Sequence, residues 1–295
     1  MNIVSDEFSL DQFKITARDV ADASLESLIA LSVGVGWFHR LEDWAFMREI
    51  GRGQVAMDET GRVHGVAMWF PFADHYATIG MVITSPKLQK NGGGQWLMRH
   101  VLKQTQGRAL GLHATRQSHK LFLSLGFSDE GTVYQFQGNV GLPPDLVPAS
   151  GTEVRKFGHT DLPAIVELDR MATGWDRREL IDALVARSRG MVLSRMGKVE
   201  AFALMRPFGR GMVVGPIIAP SEEDALRILQ PLIADSKNSF VRIDVRDETG
   251  QLANFAKVSG LQLSETVTRM SLGNPWPFSA GSSPAQWALA SHATG

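Results

Sequence analysis

Apolar residues in the first half of the chain group into short runs whose spacing alternates between strand and helix patterns. Residues 65–70 and 76–84 are largely apolar runs typical of buried strands, and residues 112–115 are a third candidate. The segment that ends near residue 102 and residues 117–125 carry apolar side chains at helical spacing. This order predicts an α/β fold in which a mixed sheet alternates with amphipathic helices.

The same order of elements begins again after a stretch rich in glycine and proline at residues 138–148. Helical spacing follows at residues 225–233, where Pro231 should kink or shorten the helix, and at residues 252–258. The strands predicted in this half are residues 199–205, 212–218, 241–246 and 265–272. The sequence therefore predicts two similar halves in tandem, residues 1–140 and 151–274. Residues 275–295 form a tail, with a loop at 275–284 and a short strand near Trp287.

One loop of the first half joins an apolar strand to an amphipathic helix through glycines. It contains Gln89-x-x-Gly92-x-Gly94, and Pro86 precedes it. A helix that begins at glycine exposes its first N–H groups at the positive end of the helix dipole, and no Cβ keeps a ligand away. The loop therefore predicts a phosphate or pyrophosphate site. The alternative is a tight strand-to-helix turn that binds nothing.

Two common nucleotide motifs do not fit this loop. A P-loop needs lysine and a hydroxyl residue where this chain has Gln95 and Trp96, and the dinucleotide fingerprint needs glycine at Leu97. The Gln/Arg-x-x-Gly-x-Gly/Ala spacing instead resembles the loop of the GNAT acetyltransferases, whose amides hold the pyrophosphate of acetyl-CoA. In that family a strand, a helix and a Gly-Phe pair follow the loop, as with Gly126-Phe127 here.

The resemblance covers residues 14–138 and implies two tandem domains of the acyl-CoA N-acyltransferase fold, with acetyl-CoA as co-substrate. It implies that backbone groups before the loop align the pantetheine, that loop amides hold the pyrophosphate, and that three later residues flank the far arm and the thiol. The implied cofactor residues are Val82, Ile83 and Thr84 on the strand; Gln89, Lys90, Asn91, Gly92, Gly93, Gly94 and Gln95 in the loop; and Thr115, Ser118 and Phe122.

Two proton-transfer groups of the family are missing from their usual positions. Phe122 stands where a tyrosine often protonates the leaving thiolate, and the strand before the loop contains no carboxylate. The candidate bases are Asp74 and His75 at the start of that strand, then His113 on the next, because histidine can accept a proton near neutral pH. Tyr134 is a fallback acid, with a buried aromatic whose hydroxyl lies at the rim as the favoured alternative.

The second half differs where its helix corresponding to the glycine loop begins. Ala219-Pro-Ser-Glu-Glu-Asp224 replaces the glycines there, and three acidic residues satisfy the helix dipole and repel a pyrophosphate. We therefore expect one CoA per chain. The second half either completes a shared core or forms part of the acceptor pocket. Aromatic residues at 37–46 and the segment Trp175-Asp-Arg-Arg178 are candidates to line that pocket, the former with core packing as its alternative.

Composition narrows the class of protein. The 295 residues exceed the usual size of one core, and a formal charge of -1 argues against bulk attraction to nucleic acid or to an anionic membrane. No cysteine is present, and His100, His113 and His119 lack metal-like spacing, so we expect no metal site. No apolar run approaches the ~20 residues of a membrane span and the N-terminus lacks signal-peptide features, which predicts a cytoplasmic protein.

These observations predict an N-acetyltransferase that moves an acetyl group from acetyl-CoA to an amine by direct attack. A catalytically inactive acyl-CoA-binding or regulatory module is the alternative, favoured by Phe122 and by the missing strand carboxylate. A structural interaction domain with an empty loop is a third possibility. The acceptor stays open between a small amine, an antibiotic, an amino acid and a peptide N-terminus, and the sequence does not define the oligomeric state.

Overall fold

The computed structural model of the chain describes residues 7–10, 13–146, 150–276 and 283–295. Residues 147–149 of the predicted linker and 277–282 of the predicted C-terminal loop lie outside the described residues. In the described part, fourteen strands form one mixed sheet, and none of the helices there is long and apolar enough to cross a bilayer.

The first half contains β1 (Glu7–Leu10), β2 (Phe13–Asp19), α1 (Leu25–Gly34), α2 (Leu41–Ile50), β3 (Arg52–Asp58), β4 (Val63–Phe72), β5 (Tyr76–Thr84), α3 (Pro86–Lys90), α4 (Gly93–Gln104), β6 (Ala109–Thr115), α5 (His119–Ser124) and β7 (Ser128–Asn139). The second half contains β8 (Thr152–Lys156), α6 (Leu162–Thr173), α7 (Arg178–Val185), β9 (Arg189–Arg195), β10 (Lys198–Phe208), β11 (Gly211–Ala219), α8 (Glu222–Ala234), β12 (Phe240–Val245), α9 (Gln251–Val258), β13 (Gln262–Leu272) and β14 (Ala285–Ala288).

The two halves repeat one order of elements, which runs from β2 to β7 and again from β8 to β13. The predicted α/β fold with a mixed sheet is therefore confirmed. Pro231 lies inside α8, which continues to Ala234, so the proline does not shorten the helix there. Ile228, Leu229 and Leu232 of α8 are buried against the sheet, and this burial offsets the roughly 3 kcal/mol that an internal proline costs a helix.

The last strand of each half is exchanged with that of the other half. β13 lies between β6 and β7, where Met270 pairs with Leu112 and Val267 pairs with Val133. β7 in turn pairs with β12, where Phe136 of β7 lies opposite Ile243 of β12. Each half-sheet is thus completed by a strand of the other half. The domain bounds predicted from the sequence, residues 1–140 and 151–274, therefore describe the sequence repeat and stay a proposal for the structural domains.

The parallel strand pair at the centre of each half separates at one end. β5 pairs with β6 only from Tyr76 to Ile79, and β11 pairs with β12 only from Met212 to Val214. Beyond these positions the two strands of each pair no longer hydrogen-bond to each other, which leaves a V-shaped gap in each half. A β-bulge at Met81, whose φ is 52°, reinforces the gap beside β5 by adding one residue that has no partner on β4.

The gap in the second half is filled by the chain itself. β14 enters it and pairs with both walls, Ala288 lying opposite Ile217 of β11 and Val245 of β12. The predicted short strand near Trp287 is therefore present, and the Trp287 indole donates to the carbonyl of Ala219 over 3.0 Å. Such occupation leaves no room between β11 and β12 for a ligand that would bind as an added strand.

The segment that follows β14 reaches the narrow end of the first-half gap. The Thr78 hydroxyl donates to the Ala293 carbonyl over 2.8 Å. A Cβ added to Gly80 would lie 2.6 Å from Cα of Ala293, so only glycine permits this approach. Residues 291–293 thereby form the floor of a gap whose wider part stays open.

Candidate functional site

The start of α4 has backbone N–H groups that make no intrahelical bond. Gly92 caps the helix with φ of 79°, a left-handed conformation that favours glycine, and the N–H of Trp96 makes the first intrahelical bond, to the Gly92 carbonyl. The N–H groups of Gly93, Gly94 and Gln95 precede that bond and point out of the helix end. The Gln89 side chain donates to the Thr84 carbonyl over 2.8 Å and thereby fixes the loop to β5.

Glycine occupies positions 92, 93 and 94 of the loop for different structural reasons. Gly92 is required by its positive φ, and a Cβ on Gly93 would lie 2.2 Å from Cδ1 of Leu88 in α3. A Cβ on Gly94 would meet only ordinary contacts, 3.6 Å from Leu121 and 3.9 Å from Thr84. Packing within the protein therefore does not require glycine at position 94. Close approach of a ligand to the backbone there would explain why the residue is glycine.

A cavity of about 420 Å³ opens from the wide part of the first-half gap. The bulge residues Met81 and Val82 line it from β5, and Leu112 and His113 line it from β6. Both halves contribute the remaining walls, which are Trp37, Phe38 and His39 after α1, Phe208, Gly209 and Arg210 at the β10–β11 turn, Gln135, Gln137, Phe240, Arg242, Ser264 and Glu265 on β7, β12 and β13, and Ser291, His292 and Ala293.

Four of the predicted cofactor residues lie together on this cavity: Val82, Thr115, Ser118 and Phe122. The Thr115 and Ser118 hydroxyls are 3.0 Å apart. Phe122 is buried and packs edge-to-face on Phe127 at 5.7 Å. Ile83, Thr84 and the loop residues from Gln89 to Gln95 are not cavity residues; the loop lies beside it at the start of α4.

Three of the four predicted proton-transfer residues, His75, Asp74 and Tyr134, do not lie on the cavity. His75 is at the opposite end of β5, where its carbonyl accepts from Ala109 over 2.8 Å. Six residues separate it from the bulge at Met81, roughly 20 Å along a strand. Asp74 lines a separate surface depression with Arg52 and Trp69. Tyr134 lies between β12 and β13, paired with Val245 and Thr266.

His113, the third candidate base, does face the cavity. Its Nδ1–H donates to the His292 carbonyl over 2.9 Å, so Nε2 carries the lone pair, and Nε2 is buried without a hydrogen-bond partner among the described residues. Burial lowers the pKa of His113 to about 3, and the charges of His292, Arg246 and Arg269 add to this shift. His113 is therefore neutral at neutral pH, and its Nε2 is a buried hydrogen-bond acceptor.

His292 and Asp244 form a pair that sequence reasoning missed. Nε2 of His292 lies 3.4 Å from Oδ1 of Asp244, a long contact, and Arg242 donates to the same carboxylate over 2.7 Å. Burial alone would raise the pKa of Asp244, but the charges of Arg242 and His292 hold it well below its usual range. A buried carboxylate behind a histidine that lines a cavity is an arrangement that can fix the histidine tautomer.

The aromatic wall combines loops of both halves. Asp43, near the start of α2, accepts from the N–H of Gly209 over 2.9 Å and from the Arg40 guanidinium, which fastens the β10–β11 turn to the first half. Burial alone would raise the pKa of Asp43, but these hydrogen bonds outweigh it and lower the pKa. The aromatic cluster at residues 37–46 divides, because Trp44 and Phe46 are core residues whereas 37–39 line the cavity.

The segment Trp175-Asp-Arg-Arg178 does not line the cavity, contrary to expectation. Trp175 packs on Trp276 at 4.7 Å, and Arg177 makes a buried ion pair with Asp169. No cluster of three or more potential metal-binding side chains occurs in the described parts of the chain.

Comparison with known proteins agrees with this architecture. Residues 25–127 match the model of the acetyltransferase (GNAT) family, and residues 165–281 match that of an acetyltransferase (GNAT) domain. Comparison with the curated proteins finds no match.

Solved structures share the fold over nearly the whole chain. A Pyrococcus horikoshii protein provisionally named an acetyltransferase has a TM-score of 0.77 at 18% identity, covering 95% of this chain and 96% of its own. A tandem GNAT protein from the clavulanic acid biosynthesis pathway has a TM-score of 0.63 at 11% identity, covering 88% and 99%. A GCN5-related N-acetyltransferase from Sphaerobacter thermophilus has 0.61 at 13%, covering 88% and 95%. With two matching segments and an element order repeated in both halves, the chain belongs to the GNAT acetyltransferase family, as a tandem of two GNAT domains.

Proposed function

We propose that this protein is an acetyl-CoA-dependent N-acetyltransferase with one cofactor site, in its first half. The observation that carries the proposal is the open gap between β5 and β6, which leads from the start of α4 into a cavity lined by both halves. The direct tests are calorimetry with CoA and release of free thiol from acetyl-CoA in the presence of amines. The chain has no cysteine, so a thiol reagent reports only the released CoA.

The chain offers groups suited to each part of the cofactor. N–H groups of Gly93, Gly94 and Gln95 would hold the pyrophosphate, and the unpaired edge of β5 at Val82 to Thr84 would align the pantetheine as an added strand. Backbone at the Met81 bulge would lie beside the thioester carbonyl, where a free N–H stabilises developing negative charge.

Transfer forms a bond between the amine nitrogen and the acetyl carbon, breaks the bond from that carbon to sulfur, and releases one proton from the amine. His113 forms part of the wall beside the amine, and His292, whose Nε2 lies toward Asp244, takes the proton on Nδ1. Glu265 is the alternative acceptor of the proton, since it lines the same cavity from β13. Phe122 cannot protonate the leaving thiolate. Water, or the hydroxyl of Thr115 or Ser118, donates that proton instead.

The role of the histidines gives the first prediction. His292→Gln should lower kcat by about 10²-fold or more, as loss of a general base does, with CoA affinity unchanged. His75→Gln is the matched control, and it should leave the rate unchanged because His75 lies at the other end of β5. Full activity of His292→Gln, or a loss of rate in the control, would contradict the role given to His292. Glu265 and the residues at the start of β5 would then be the candidate bases.

Stoichiometry gives the second prediction. We expect one CoA per chain, because β14 occupies the second gap and three acidic residues begin α8. Calorimetric titration at a protein concentration well above Kd measures the ratio. Two equivalent sites would contradict both the role given to β14 and the single-site proposal.

An acyl-CoA-binding module without catalysis is the second candidate, and Phe122 at the thiol end of the cavity favours it. The two candidates separate in one experiment. CoA binding without thiol release for any amine in a broad panel supports the binding module, whereas amine-dependent release supports the enzyme.

A further inference from the structure

The acceptor side of the cavity carries more positive than negative charge. Arg210 and Arg242 line the cavity. Arg206 lies behind it against the ring of Phe208, and Arg40 bonds to Asp43, which accepts from the lining residue Gly209. The carboxylate partners of these guanidinium groups in the described structure are Asp43, which accepts from Arg40, and Asp244, which accepts from Arg242. Arg206 is buried, donates to the Ala290 carbonyl, and packs between the rings of Phe46 and Phe208. Arg206 and Arg210 therefore form no ion pair among the described residues, and Glu265 shares the cavity with Arg210.

Arg210 is the one of these groups that lines the cavity without an ion pair among the described residues. Its guanidinium lies over the Phe38 ring, 4.2 Å from the centroid, at the β10–β11 turn. The turn is held by the bond from the N–H of Gly209 to Asp43. Stacking fixes the plane of the guanidinium and leaves its edge free, and that edge matches a carboxylate through two parallel hydrogen bonds.

The other lining residues indicate the chemical character and the size of the rest of the ligand. Trp37, Phe38, Phe208 and Phe240 give this side an aromatic surface. The volume of about 420 Å³ is at the small end of ligand sites and also has to admit the thioester. Glu265 lines the cavity from β13 and offers a partner for an ammonium group that arrives protonated.

We propose that the acceptor is a small amine that also carries a carboxylate next to an aromatic or apolar body, as in an apolar α-amino acid, and that Arg210 binds this carboxylate. The inference rests on the proposed acetyl transfer and names its substrate class. Such a ligand neutralises one of the unpaired charges while its amine points toward His113 and the β5 bulge. Arg210 is exposed, so water hydrates its charge in the absence of a ligand, and an amine without the anionic group would lack the two hydrogen bonds to this guanidinium.

Three compounds that share one ring and one primary amine test the inference: L-phenylalanine, L-phenylalanine amide and 2-phenylethylamine. Thiol release measures kcat/KM for each with saturating acetyl-CoA. We expect L-phenylalanine to be preferred over the other two by at least about 10-fold. Arg210→Gln should remove this preference by raising KM for L-phenylalanine with kcat little changed. Arg62→Gln, an exposed arginine at the β3–β4 turn, is the matched control and should keep the preference.

The outcomes separate the inference from the function on which it rests. Equal kcat/KM values for the three amines, or a preference that survives in Arg210→Gln, would overturn the inference while leaving an active acetyltransferase. CoA binding without turnover of any of the three compounds also counts against the substrate class. Loss of CoA binding in the unaltered protein contradicts the proposed function instead.

Discussion

Gly94→Glu is expected to weaken CoA binding by at least about 100-fold, or roughly 2.8 kcal/mol, without loss of stability. The new carboxylate would stand at the start of α4, among the N–H groups that we assign to the pyrophosphate, and would repel it. The fold should tolerate the change, because a Cβ at position 94 meets only ordinary contacts. Glutamate also favours a first helical turn by about 0.3–1 kcal/mol, so Tm should hold or rise.

Gly94→Ala is the matched control for this prediction. It adds the Cβ without the charge, so CoA affinity should fall less than in Gly94→Glu. Calorimetry of both variants with CoA, beside thermal unfolding of the free proteins, makes the comparison. Unchanged affinity in Gly94→Glu would contradict the pyrophosphate assignment, and a fall in Tm would show that the glycine has a structural reason that the contacts do not reveal.

Arg177→Met is expected to destabilise the protein by about 3–5 kcal/mol. Arg177 and Asp169 each expose 1% of their side chains, and two bonds of 2.7 and 2.8 Å join them. Removal of the guanidinium leaves the Asp169 charge buried without its partner. Arg177 also donates to the carbonyls of Thr294 and Gly295, so the segment that carries His292 should loosen as well. Urea unfolding measures the change.

Two further variants give this result its meaning. Arg178→Met, at an exposed neighbouring position, should change stability by no more than about 0.5 kcal/mol. The double variant Arg177→Met with Asp169→Leu should recover much of the loss, because a buried ion pair replaced by apolar groups is often tolerated. Equal stability of Arg177→Met and the unaltered protein would show that the pair is not desolvated as the structure indicates.

The features that sequence predicted are those fixed by residues close together in the chain. Gly92 and Gly94 act through the local backbone at the start of α4, so their spacing alone indicated the family, and the anion site there stays a prediction. Three acidic residues at the start of α8 are likewise local. Strand and helix periodicity gave the element order because each element buries one face whatever its neighbours are.

Only the tertiary structure decided which strands become neighbours and where the chemistry is concentrated. A backbone strand edge bonds equally well to any partner of suitable length, so nothing in the pattern of β7 and β13 states that they are exchanged. For the same reason, the sequence does not show that β14 fills the gap between β11 and β12 while the gap between β5 and β6 stays open. His113, Arg210 and His292 meet on one cavity although about 80 to 180 residues separate them, because that cavity is formed by both halves together. His75 was favoured from sequence for its position at the start of β5, and the direction in which the strand runs carries it away from the opening.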